Sequence, residues 1–294
     1  MRKATARIYR FLSFFYQDEI PLTFIEEMQA HSFLDQLRQA AESSASAGFR
    51  SGLSRMMTAL QAKSAQEIYN ELRYEYAELF LNAGRNPVFP YASCHITKEP
   101  LVLQKPIFEV RQVYRDNGVQ KDPSYPELDD HIAVELEFMA HLADQQGSED
   151  RQRSFLLQHL GWADAFCAML RSAAQTEFYK GLAELTRAVL EAARTETVMN
   201  TPDMEQLAQA LVLLDLEARP RTLLAAQEGD QQETDRGSKT VKTHCYICAG
   251  LCGQEVKLKD QVITGLSGLA GDPKGGGRLC IKGANAHKNT YSAY

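Results

Sequence analysis

Apolar side chains recur at intervals of three and four residues from the start of the chain. Ile8, Phe11, Leu12 and Phe15 fall on one face of a helix that must end before Pro21. Phe24, Ile25, Met28, Phe33, Leu34 and Leu37 carry the pattern on from Leu22 to Ala41, and Pro21 suits a first helical turn. The run SSASAGFRSG predicts a loop or a helix boundary. Ser64 and Glu67 have the spacing of a capping box, and they open a helix in which Ile68, Leu72, Tyr76, Leu79 and Phe80 share a face. The segment NAGRNPVFPYASCHIT is broken by Gly, Pro and Asn yet keeps Val88, Phe89 and Tyr91, which predicts a packed loop of the kind that carries function. Helical spacing resumes near residues 106 to 116 and continues through YPELDDHIAVELEFMAHLADQQG, SFLLQHLGWADAFCAMLRSAA, EFYKGLAELTRAVLEAAR and MEQLAQALVLLDLEAR. Nothing before residue 240 alternates like a strand for long. The expected body, residues 1 to 224, is an all-α bundle of nine or ten helices.

A polar stretch from Ala225 to Thr240, AAQEGDQQETDRGSKT, lacks large apolar residues and predicts a flexible linker. Beyond it, over 241 to 294, the pattern changes period. Val256 and Leu258 alternate with lysines, Asp260 and Gln261 mark a turn, and Val262 and Ile263 return, which predicts a small hairpin. So short a unit buries little by itself, so metal ligation would supply much of its folding energy.

Four of the six cysteines, Cys245, Cys248, Cys252 and Cys280, stand in the last fifty residues at C-x2-C-x3-C-x27-C spacing. Three clustered thiolates and a distant fourth suit a [4Fe-4S] cluster. Zinc, which more often sits on two similar knuckles, and unligated thiols remain alternatives. Cysteines that serve as ligands rather than disulfides point to the cytoplasm. Charge divides along the same boundary. Residues 236 to 294 hold nine Lys/Arg and three Asp/Glu, +6, which leaves −12 for residues 1 to 235. Solvated surfaces account for such a split, and so does a contact between tail and body in cis. The acidic body argues against nucleic acid. No window reaches the length of a membrane span, and the start, MRKATARIYRFLSFFYQ, is not expected to be a cleaved signal.

The cysteine run, with GDP before Cys280 and the lysine and glycine of CIKG after it, resembles the amino-terminal [4Fe-4S] segment of the molybdopterin oxidoreductases. That resemblance implies a place beside the cluster for Lys282. It covers about fifty residues and none of the parts that hold pterin, metal or substrate, so no catalytic residue is expected. The stretches YEYAELFLNAGRNPVFPYAS, DDHIAVELEFMAHL and FLLQHLGWADAF resemble the TorD/NarJ/DmsD chaperones that mature molybdoenzymes. This second resemblance implies an all-helical fold and a groove for the leader or amino-terminal segment of a molybdoenzyme catalytic subunit. Tyr91, Ser93, Asp130 and His131 would line it. Family members commonly have proline just before that Asp-His pair, where this chain has Asp129. For His131, simple helix capping is an equal reading. The leading expectation is a cytoplasmic maturation chaperone with a tethered [4Fe-4S] domain, a binding protein and not an enzyme. The alternative is an iron–sulfur accessory subunit that supplies its cluster to a catalytic partner.

Overall fold

Twelve α-helices stand among the residues that the computed structural model describes, which are 2–97, 102, 105–195, 202–214, 223–226, 238–244, 253–259, 262–272 and 277–279. The chain divides into two units, Met1–Gln227 and Glu228–Tyr294.

In the first unit the helices are α1 (Arg2–Gln17), α2 (Leu22–Met28), α3 (His31–Ser43), α4 (Ala47–Gln61), α5 (Ala65–Phe80) and α6 (Ala92–Ile96). They continue with α7 (Lys105–Asp116), α8 (Ile132–Asp144), α9 (Glu149–Gln158), α10 (Ala163–Ala173), α11 (Glu177–Arg194) and α12 (Pro202–Ala210). At the centre lies α8, buried on nearly every side from Ile132 to Ala143. A helix apolar all round can only be an interior one. Against it packs α1, whose Ser13 hydroxyl donates to Ala133 O at 2.8 Å while Arg10 meets Glu137 and Asp144. Phe15 meets Phe24 and Phe178, and Tyr16 meets Phe80 and Phe166, so rings from five helices form one aromatic core. Helices α4 and α11 approach closely: a Cβ at Gly181 would stand 2.6 Å from Gly52 O, so only glycine allows this backbone contact.

The capping box at Ser64 and Glu67 is present. Two expected helices are broken. Gln29 ends α2 because its side chain turns to donate to Leu60 O and Lys63 O, at 2.7 and 2.9 Å, where α4 finishes. The run from Ser154 to Ala174 breaks at Gly161, where Trp162 turns inward and Arg194 donates to Leu160 O. No helix among the described residues is long and apolar enough to cross a membrane.

The unit also holds a short antiparallel ribbon, β1 (Val119–Lys121) with β2 (Leu224–Ala226). Three-residue strands carry too little alternation to be legible in sequence. Ala225 and Ala226 are therefore paired rather than part of a linker, and Ser238–Thr240 already belong to the next strand. The expected 225–240 linker thus overlaps strand residues at both ends, and 227–237 lie outside the described residues.

The second unit is a three-stranded antiparallel sheet, β3 (Ser238–His244), β4 (Gly253–Lys259) and β5 (Val262–Gly268), in that spatial order. The expected hairpin is β4–β5, with Leu258 opposite Ile263. Strand β3 was not expected, since Val241 is its single apolar residue. Its pairing places Val241 opposite Val256, so a partner strand supplies the order that its own sequence does not announce.

Candidate functional site

The packed loop after α5 is built by its backbone. Asn82 takes a left-handed conformation, φ 58°, just past the helix end. Val88 N then donates to Leu79 O at 2.7 Å, and the Val88 side chain is buried. The chain next meets the entry to α8. Tyr91 and His131 form an isolated antiparallel bridge, with Ala92 N to Asp130 O and Ile132 N to Pro90 O both at 2.9 Å.

All four residues expected to bind a client meet at this joint. One Asp130 oxygen, Oδ2, accepts from both Ser93 N, at 2.9 Å, and Ser93 Oγ, at 2.5 Å. His131 Nδ1 accepts from Ala133 N at 3.1 Å and so caps α8, which leaves the ring's other nitrogen to carry the proton. The capping reading of His131 is therefore realised. Burial holds its imidazole neutral, with a pKa lowered to about 3. Burial also pushes the Asp130 carboxyl up, against the pull of its bonds from Ser93. Ser93 and Asp130 are fully buried and His131 is 2% exposed. Tyr91 alone of the four is only partly buried. Its ring stands edge-on to His131, centroids 5.1 Å apart, and its hydroxyl donates to Glu127.

Several residues that the sequence did not single out hold the joint in place. Arg111 on α7 donates to both oxygens of Asp129, at 2.7 and 3.2 Å, and Tyr114 Oη donates to Asp129 O at 3.0 Å. Where proline would stiffen this corner covalently, an ion pair from a neighbouring helix does so here. Glu135, buried and with its pKa pushed well up by burial, accepts from Trp162 Nε1 at 2.9 Å. Trp162 in turn stacks on His95, which shares a 2.8 Å hydrogen bond with Phe89 O. The one signal for this second layer was that Trp162 is the chain's single tryptophan. Ile96 and Phe108, on α6 and α7, are 54% and 60% exposed.

In the second unit Cys245, Cys248, Cys252, Cys280 and Lys282 lie outside the described residues. Their stems are described. His244 pairs with Gly253, so residues 245–252, with three of the cysteines, join two paired strand ends. Leu269 N donates to Gly253 O at 2.9 Å, and Gly268 pairs with Gln254. A Cβ on Gly268 would lie 2.3 Å from the carbonyl of Gly277, so the backbone leading to Cys280 crosses β5 at that point. The stem of the fourth cysteine thus returns to the end of the sheet from which the three-cysteine loop springs. Two loops rooted at one sheet end suit four thiolates with a common inorganic core.

Comparison with known proteins gives each unit a separate relative. Residues 42–168 match the family described as nitrate reductase delta subunit, and residues 238–292 match the molybdopterin oxidoreductase Fe4S4 domain. The chaperone protein TorD of Shewanella sp. (strain ANA-3) is 31% identical over 218 residues, covering 71% of this chain and 96% of that protein. TorD of Shewanella piezotolerans is 28% identical over 199 residues, covering 64% and 89%. A solved structure of a putative redox enzyme maturation protein from Archaeoglobus fulgidus is 20% identical, covers 54% of this chain and 94% of that one, and superposes with a TM-score of 0.31.

Proposed function

The chain belongs to the TorD family of chaperones, and on that premise we propose that it binds and helps mature a molybdenum or tungsten oxidoreductase in the cytoplasm. One observation carries the reading. A body that matches a chaperone over nearly that protein's whole length shares a polypeptide with a segment that matches the Fe4S4 domain of molybdopterin oxidoreductases. The work is binding, not bond-making: the helical unit holds the leader or amino-terminal segment of the catalytic subunit while cofactor is inserted.

Tyr91 is the residue that touches the client. Ser93, Asp130 and His131, buried as they are, act through it by fixing the loop to the start of α8. Ile96 and Phe108 offer apolar surface on α6 and α7. In the second unit Cys245, Cys248, Cys252 and Cys280 would hold a [4Fe-4S] cluster, with Lys282 beside it as a positive charge that favours the reduced state. A bound cluster supplies one-electron redox chemistry, and the sheet's part is to bring the two cysteine loops together.

Titration of the full chain with the amino-terminal segment of a molybdoenzyme tests the body. Tyr91→Ala should weaken binding at least tenfold without lowering the melting temperature, and wild-type affinity in this variant would remove the site from consideration. Anaerobic reconstitution with iron and sulfide, followed by EPR of the reduced protein, tests the tail: a silent spectrum with zinc in the metal analysis excludes the cluster. The accessory-subunit reading is favoured instead if capture of the catalytic subunit requires the cysteine unit and ignores Tyr91.

A further inference from the structure

A cavity of about 470 Å³ opens in the first unit where α4, α10 and α11 meet, and none of the residues that line it belongs to the Tyr91 joint. The sequence explains the hollow. Glycine brings α4 and α11 into backbone contact at Gly52 and Gly181, and one turn earlier in α4 a Cβ at Gly48 would reach Ala188 Cβ only at 3.4 Å. Between these two helices and α10 stand short side chains, Ala168, Ala183 and Ala188. Protein interiors are close-packed, so a junction lined by methyl groups leaves room that no side chain of its own fills. The volume falls in the range in which small ligands are held, about 300–1,000 Å³.

The charges around this cavity are unevenly engaged. Arg171 donates to Glu184, which Arg55 also meets at 3.3 Å and the Ser51 hydroxyl bonds. Arg187 and Glu191, one turn apart on α11, line the cavity as well, and both are exposed. Opposite charges four residues apart are neighbours on a helix surface, yet neither side chain has an ion-pair partner among the described residues. The cavity therefore offers one free cation and one free anion over a floor of Cys167, Ala183 and Ala188, all buried. A plain anion would find Arg187 but face Glu191, and a plain cation would meet the reverse. A molecule that carries both signs satisfies both. With Cβ atoms roughly 6 Å apart, the two side chains can reach a carboxylate and an ammonium carried on a single carbon.

We infer that the α4–α10–α11 cavity binds a small zwitterion with an apolar body, of the amino-acid class. Its carboxylate takes the two-pronged donor set of Arg187, its ammonium donates to Glu191, and its side chain lies on Cys167, Ala183 and Ala188. This site is separate from the client joint and does not depend on the chaperone reading.

The test titrates the full chain by calorimetry with L-phenylalanine and L-leucine. Two derivatives of the first remove one charge each: N-acetyl-L-phenylalanine lacks the cation and L-phenylalaninamide lacks the carboxylate. At least one amino acid should bind saturably, and each derivative at least tenfold more weakly than L-phenylalanine if that is the one bound, or the matching leucine derivatives if it is leucine. Glu191→Gln should erase the difference between the amino acid and its acetylated form, and Arg187→Gln the difference between the amino acid and its amide. Ala168→Phe, at an exposed position on the cavity wall, should block binding without lowering the melting temperature, whereas Tyr91→Ala should leave it unchanged. No saturable binding of either amino acid overturns the inference. So does equal binding of the acetylated form or the amide, or full affinity in Ala168→Phe.

Discussion

The amide and hydroxyl of Ser93 both donate to a single oxygen of Asp130, thirty-seven residues away, inside the protein. This two-donor grip caps α6 and ties the loop that carries Tyr91 to the first residue pair before α8. Bonds to a buried carboxylate are worth more than neutral ones, and breaking them from one side leaves donors stranded. Asp130→Ala should therefore cost about 2–4 kcal/mol in denaturant unfolding, with Asp130→Asn milder because its amide oxygen can still accept. A cost below about 0.5 kcal/mol for the alanine variant would mean that the loop is not anchored here.

Arg111 and Asp129 should behave as a coupled pair. Removing Arg111 leaves a carboxylate that is 8% exposed without its cation, but Arg111 itself is 39% exposed and water replaces part of what is lost. Arg111→Ala is expected to cost about 1–2 kcal/mol, and the double variant Arg111→Ala, Asp129→Ala less than the sum of the singles. Additive singles in a double-mutant cycle would count against the clamp.

His131 predicts an acid limb of stability. Its folded-state pKa, lowered to about 3, lies below the unfolded value of 6.5, so the unfolded chain binds a proton that the folded one does not. The neutral ring's contribution is complete above about pH 6.5 and is lost progressively as pH falls towards 3, by about 2 kcal/mol at pH 5. Asp130 and Glu135, raised by burial, act in the opposite direction, since protonation relieves their buried charge. Melting temperatures of wild type and His131→Asn between pH 7 and 5 isolate the histidine. Asparagine keeps an acceptor for Ala133 N but does not titrate, so the variant should lose less stability over this range, whereas parallel curves would contradict the assignment.

Gly268 separates the two units experimentally. A methyl group there would meet the Gly277 carbonyl at 2.3 Å, and backbone cannot move aside as a flexible side chain can. Gly268→Ala should abolish iron incorporation on reconstitution while the helical melting transition stays within a degree or two of wild type. Full iron loading in this variant would show that the crossing is not needed to bring the stem of Cys280 to the sheet end.

Much of this protein could be read locally. Helical period, the Ser64–Glu67 box, the turn between Leu258 and Val262, and the run of Cys245, Cys248 and Cys252 are each spaced within a few residues, so the sequence alone determined the all-helical class of the body and the hairpin of the tail. Resemblance then brought Tyr91, Ser93, Asp130 and His131 to notice, but their arrangement was a tertiary matter. Periodicity tells which face of an element is apolar, not which distant residue will cover it. That three of the four are interior, that Arg111 stands in for a proline, that β3 finds its order in β4, and that Ala226 lies against Val119 all depend on pairings across tens of residues. Such pairings are decided by the packed chain as a whole, because a buried donor or acceptor takes whatever partner the fold delivers to it.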